Sequence, residues 1–131
     1  MSGDEHSRIV RWDAGRWPAL PVRRYRESEE GPRVTRRLLI GAGDPGLAAE
    51  LRYFEVEPGE TTRFERHLHA HAVVVLTGSG HVRLGEALHP IEAFDLVYVA
   101  PSTPHCFLAD RGEPLGFLCL VDRDRDPPEP L

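Results

Sequence analysis

The sequence predicts an all-β protein, a single antiparallel jelly-roll β-barrel with a short N-terminal arm, on three observations. From Leu51 onward the chain runs in short apolar or alternating segments filled with β-branched and aromatic residues. Gly, Pro, Asp and Ser punctuate those segments, and "GDPGLAAEL" alone leaves room for a helical turn. With 131 residues the chain can bury one continuous core but is too short for two ordinary domains.

Residues 1–35 read as the arm, 36–122 as the barrel and 123–131 as a charged, Pro-rich tail. The arm holds Trp12, Trp17 and the charged turn "RESEEGPR", shows little periodicity before "RVTRRLLIG", and has room for one or two strands. Two tryptophans in so short an arm are explained if it lies against its own barrel or a second subunit. The barrel strands are expected in "LRYFEVEPGE", "HAVVVLTGSG", "HVRLGE", "FDLVYVAPSTP", "HCFLADRGEP" and "LGFLCLVD". Gly59, Gly78, Gly80 and Gly85 read as turn glycines without phosphate-cradling context. Asp95 reads as a turn stabiliser, and Tyr53, Phe54 and Tyr98 as strand aromatics. The tail reads as a solvated end.

A formal charge of −5, with arginines scattered rather than gathered into a stripe, argues against nucleic acid as a partner. The longest apolar run, Ala72 to Leu76, is far short of a membrane span, and neither end carries a basic segment followed by an apolar run. The expectation is a soluble, cytoplasmic protein with no membrane partner. Cys106 and Cys119 are too few for a disulfide framework and match no common zinc or redox spacing. A hairpin turning at "RGEP" would set them opposite each other as packing residues, with His105 on the other face beside Phe107, Leu118 and Leu120.

Of seven histidines, three fall in "ERHLHAHAVVVL", at positions 67, 69 and 71, leading into a core strand. On a strand they would share a face with Glu65 and Val73. Neutral imidazole is the commonest metal-binding side chain, so this pattern points to a metal site rather than a row of solvated histidines. In a straight strand the side chains at i and i+4 start about 13 Å apart, so one ion reaches them only if the chain bends near Leu68 to Ala70. The outside ligand would be His105 in "APSTPHCF", where Pro101 and Pro104 fix a turn. His6, His81 and His89 read as surface residues, the latter two in a hairpin and its return.

These motifs resemble those of the cupin superfamily of small conserved-barrel proteins. The Pro58-Gly59 turn, the His-x-His spacing, His71 in the later-ligand position and Gly78 fit its first motif; Asp95, Thr103, Pro104 and His105 in "FDLVYVAPSTPHCFLA" fit its second. The resemblance covers Leu51 to Val121, about half of the chain. Phe94 stands at a usual Gly, Ala100 and Ser102 at a usual Pro and Gly, and Ala109 at a usual Asn, which alters loops more than ligand supply. Gapless counting from Gly78 puts Glu65, His67 and His71 at the three ligand places of the first motif; a shortened bend would instead make His67 and His69 the pair. The candidate metal ligands are therefore His67, His69, His71 and His105, with Glu65 in reserve.

Three or four imidazoles with at most one carboxylate suit Fe, Ni, Cu, Zn or Mn and not Mg or Ca. The resemblance implies a metal-dependent enzyme on a small organic substrate, a dioxygenase-like oxidoreductase; isomerase and lyase chemistry would use the same site. The alternative of a different class is a non-catalytic module that binds or senses a metal or metabolite. The arm, and the pairing common among similar barrels, suggest a homodimer.

Overall fold

A computed structural model describes residues 7–24 and 33–131 of the chain. His6 and the charged turn predicted over 26–33, apart from Arg33, lie outside the described residues. The strands are β1 (Arg23–Arg24), β2 (Val34–Ile40), β3 (Ala49–Val56), β4 (Glu65–Arg66), β5 (His71–Thr77), β6 (Ser79–Leu84), β7 (Ala87–Glu92), β8 (Leu96–Val99), β9 (His105–Ala109), β10 (Leu115–Asp122) and β11 (Glu129–Pro130). No helix occurs among the described residues, and the "GDPGLAAEL" stretch forms turns leading into β3.

The all-β expectation holds, with one change of architecture. The strands form two antiparallel sheets, ordered β1-β2-β3-β10-β5-β8 and β11-β4-β9-β6-β7, that face each other without closing into one continuous barrel. The inward residues alternate as the strand period requires. On β5 these are His71, Val73 and Val75; on β10, Phe117, Cys119 and Val121; on β9, His105 and Phe107. The core between the sheets contains Phe54, Val56, Val82, Ile91, Val97, Val99 and Leu115, and Phe107 and Phe54 stack on either side of Phe117 at 4.6 and 5.6 Å. Each such side chain contributes about 1.5–3 kcal/mol by leaving water.

The predicted hairpin between β9 and β10 does not form. The "RGEP" loop is a corner that carries the chain from one sheet to the other, so Cys106 faces Arg83 on β6 while Cys119 lies between Arg52 on β3 and Val73 on β5. The two cysteines are not neighbours across a ladder. In the actual register Leu118 and Leu120 point outward, and Phe117 and Cys119 take the inward places near His105. Counting back from a loop fixes register only if the loop joins paired strands.

Gly80 is not a turn residue but lies inside β6, where a Cβ would sit 2.0 Å from the Leu108 carbonyl oxygen. Phe94 and Ser102, both at places where glycine is usual in similar sequences, hold positive φ of 73° and 65°. Asp95 caps its turn by accepting from the Glu92 amide at 2.8 Å.

The arm packs on its own barrel. Trp12 and Trp17 meet each other edge to face at 5.0 Å and cover Tyr53 at 5.6 and 6.0 Å on the outer face of β3. The tail is not a free solvated end, because β11 pairs with β4 and Glu129 forms an ion pair with Arg66 at 3.2 Å.

Candidate metal centre

The bend anticipated between Leu68 and Ala70 separates β4 from β5 and passes the chain from the five-stranded to the six-stranded sheet. Its amides have left both ladders and need other acceptors. Asp126, from the tail, supplies them: one oxygen accepts from the Leu68 amide at 2.8 Å, the other from the His69 amide at 3.0 Å. These bonds, together with that from the His69 ring, hold the Asp126 carboxyl well below the usual carboxylate range. The Ser102 amide donates to the His67 carbonyl at 2.7 Å, tying the bend to the turn before β9.

This geometry brings together all five residues named from sequence. Donor atoms of His67, His69 and His71 lie within 4.8 Å of one another, as do those of Glu65, His67 and His105. Ring centroids of His67 stand 3.7, 4.5 and 4.8 Å from those of His69, His71 and His105. Glu65 and His105 are direct cross-strand partners on β4 and β9. His81 and His89, by contrast, sit on the β6–β7 hairpin away from this cluster.

Each of the four imidazoles is anchored through Nδ1. His67 donates to the His69 carbonyl at 2.6 Å, His105 to the Thr103 carbonyl at 2.8 Å and His69 to the Asp126 carboxylate at 2.8 Å, while His71 Nδ1 lies 3.0 Å from Cys119 Sγ. A hydrogen on Nδ1 leaves the Nε2 lone pair available, the arrangement that metal-binding histidines take from their surroundings. His71 Nε2 and His67 Nε2 then stand 2.8 Å apart. His67 presents a lone pair there, and His71 presents either a second lone pair, so that both face one cation, or, where the Cys119 thiol donates to its Nδ1, an N–H that donates to His67.

Burial disfavours a second, charging proton on these rings. It lowers His67 to about 4 and His71 to about 2, helped in both by neighbouring histidines, and it lowers His105 as well. Burial likewise raises the Cys119 thiol, so this sulfur is a neutral neighbour of His71 rather than a thiolate ligand. At neutral pH His67, His71 and His105 are uncharged nitrogen donors beside the buried Glu65 carboxyl. Such a set fits a borderline divalent ion and fits calcium or magnesium poorly.

Two cavities flank the cluster. A small one, about 30 Å³, lies toward Phe54, Phe107 and Phe117; a larger one, about 230 Å³, is lined by His67, His69 and His71 together with Arg36, Arg52 and Arg125. Sequence reasoning passed over Asp126 and Arg52, and it read Cys119 as a packing residue without placing it beside His71. For Arg52 a signal exists: it holds an inward place on β3, in step with Phe54 and Val56, where a charged side chain is out of pattern.

Residues 52–121 match the family model described as a cupin domain. The chain is 43% identical over 116 residues to the 1-methylthio-D-xylulose 5-phosphate methylsulfurylase of Rhodospirillum rubrum, spanning 87% of this chain and 73% of that protein. Among solved structures, a cupin-2 domain protein of Rhodospirillum rubrum is similar at a TM-score of 0.80 and 43% identity, over 88% of this chain and 78% of the other. A cupin 2 conserved barrel domain protein of Rhodopseudomonas palustris reaches the same TM-score and identity over 90% and 81%. The match over residues 52–121, on a fold of two facing sheets, shows that the chain belongs to the cupin family.

Proposed function

We propose that the protein is a metal-dependent enzyme acting on a small phosphorylated hydroxyketone. The observation that carries the reading is the set of four histidines, each anchored through Nδ1, three of which, His67, His69 and His71, border a cavity of about 230 Å³. His67, His69, His71 and His105 would hold one ion of Fe, Ni, Cu, Zn or Mn, with Glu65 as a further donor. Bound there, the ion would act as a Lewis acid toward a carbonyl or hydroxyl oxygen of the substrate. The substrate class follows from the methylsulfurylase relative, whose name denotes a ketose phosphate. That likeness favours chemistry on such a sugar phosphate over the dioxygenase reaction expected from sequence.

The chain's own groups support this division of labour. Phe54, Phe107 and Phe117 wall the inner side of the cluster and exclude water from it. Glu65, buried between His67 and His105, is a carboxyl placed to hold or pass a proton next to a bound carbonyl.

Protein loaded in turn with each of the five metals is incubated with 1-methylthio-D-xylulose 5-phosphate, with and without an added thiol, and followed by proton and phosphorus NMR. Loss or shift of the methylthio signal with at least one metal is expected. An unchanged spectrum with every loaded form would favour the non-catalytic binding reading instead.

A further inference from the structure

The larger cavity holds a charged group for which the metal site has no use. Arg52 is only 5% exposed, and among the described residues its Nε has no hydrogen-bond partner and no carboxylate lies within ion-pair distance of its guanidinium. Its neighbours are the Phe54 ring, 4.8 Å from the guanidinium carbon, and the Cys119 sulfur, 3.5 Å from Nη2. A ring face and a neutral thiol are weak compensation for a cation removed from water, and buried charges are otherwise found paired.

Two more guanidiniums line the same space. Arg36 takes an inward place on β2, opposite Phe54 and so one step along the face from Arg52. Arg125, from the tail, is oriented by Glu50 at 2.8 Å and by the Asp122 carbonyl at 3.0 Å. Beside the histidines, the cavity lining holds three guanidiniums and one carboxyl group, that of Glu65. Guanidinium presents its N–H donors as a planar fork that matches two oxygens of a phosphate. At about 30 Å³ per water, roughly eight waters fill 230 Å³, enough for a phosphate and a few carbon atoms.

We propose that Arg52, with Arg36 and Arg125 across the cavity, forms an anion subsite that takes the phosphate monoester of the substrate and aims its carbon chain at the four histidines. The identity of the ligand rests on the phosphorylated-substrate reading above, but the subsite itself does not. In this role Arg52 is a substrate-binding residue whose side chain packs on Phe54 from below and offers Nε and one edge of the fork to the phosphate oxygens.

The test compares binding of inorganic phosphate, D-xylulose 5-phosphate and D-xylulose to metal-loaded protein by calorimetry, in wild type and in Arg52→Met, Arg52→Lys and the double variant Arg36→Gln/Arg125→Gln. Metal content of every variant is measured alongside. Arg52→Met keeps the stem against Phe54; it is expected to weaken both phosphate-bearing probes about 10- to 100-fold, to leave D-xylulose unchanged and to keep its metal, with Arg52→Lys between it and wild type. The double variant is expected to weaken the same two probes by several-fold, and it decides the matter if Arg52→Met does not fold. Phosphate binding that is Arg52-dependent without any binding of the sugar phosphate upholds the subsite and removes the proposed substrate. Equal binding of D-xylulose and its phosphate, phosphate binding indifferent to all three variants, or loss of metal in Arg52→Met at unchanged phosphate affinity would overturn the subsite.

Discussion

His67 and His71 show how much a few side chains decide at the scale of single residues. Their Nε2 atoms are 2.8 Å apart where burial keeps both rings uncharged, which is the donor arrangement the proposed cation needs. The cost appears in metal-free protein. Unfolded imidazoles bind protons below about 6.5, whereas in the fold His67 does so only near 4 and His71 near 2. Between those values the unfolded chain holds more protons, so stability is full above about 6.5 and falls as pH drops toward 4. Thermal melts of metal-free protein should therefore show a lower midpoint at pH 5 than at pH 7.5, and His71→Asn should flatten the difference; an equal or higher midpoint at pH 5 would contradict the burial argument. Asp126 is the other residue to probe, since it orients His69 and holds the bend. Asp126→Asn should reduce metal affinity about 10- to 100-fold while circular dichroism stays that of wild type. The alternate histidines and the turn before His105 were legible because they lie close in sequence. Asp126 was not: its partner His69 is 57 residues away, and nothing in "DRDRDPPEPL" distinguishes a clamp from a solvated charge.

At the scale of elements, the bend between β4 and β5 and the corner between β9 and β10 do the same thing. Each moves the chain from one sheet to the other and so lines the space between them with residues of both. The period-two pattern made the strands readable, and a rigid-strand distance of about 13 Å made the bend a requirement. The corner was not readable, because a five-residue loop containing Gly and Pro serves a hairpin and a sheet-to-sheet crossing equally well. Gly80 was missed for a related reason: its need for space comes from the Leu108 carbonyl on β9, a contact that only the sheet order creates. Gly80→Ala should lower stability by about 1–3 kcal/mol, as overpacking in a close-packed site does. Leu115→Ala, at a side chain with no exposure, should cost about 2–5 kcal/mol by leaving a cavity. Urea titrations check both, and the glycine result carries more weight because the change adds only a methyl group.

On the scale of the whole molecule, the tail and both sheets converge on one site, while the arm packs on the outer face of β3. The tryptophans suggested an arm that covers something, and the covered surface is Tyr53 of the same chain. The case for a dimer therefore moves to the uncovered part of the six-stranded sheet, where Tyr98, Ala72 and Leu120 form one outward row and Leu96 stands beside it; Tyr98 is 63% and Leu96 70% exposed. Light scattering at micromolar concentration should give twice the chain mass of 14.7 kDa, and Tyr98→Glu should return the monomer. A monomeric wild type would remove the dimer. A bound metal would tie the account together, since an ion that binds only the folded chain would join two sheets and the tail at one point. The most direct measurement is elemental analysis by mass spectrometry of protein purified without a histidine tag, beside His67→Ala and His105→Ala. About one equivalent of a single transition metal in wild type, lost in both variants, is the predicted result. Wild-type protein that carries none and takes up none at micromolar ion would contradict the metal centre.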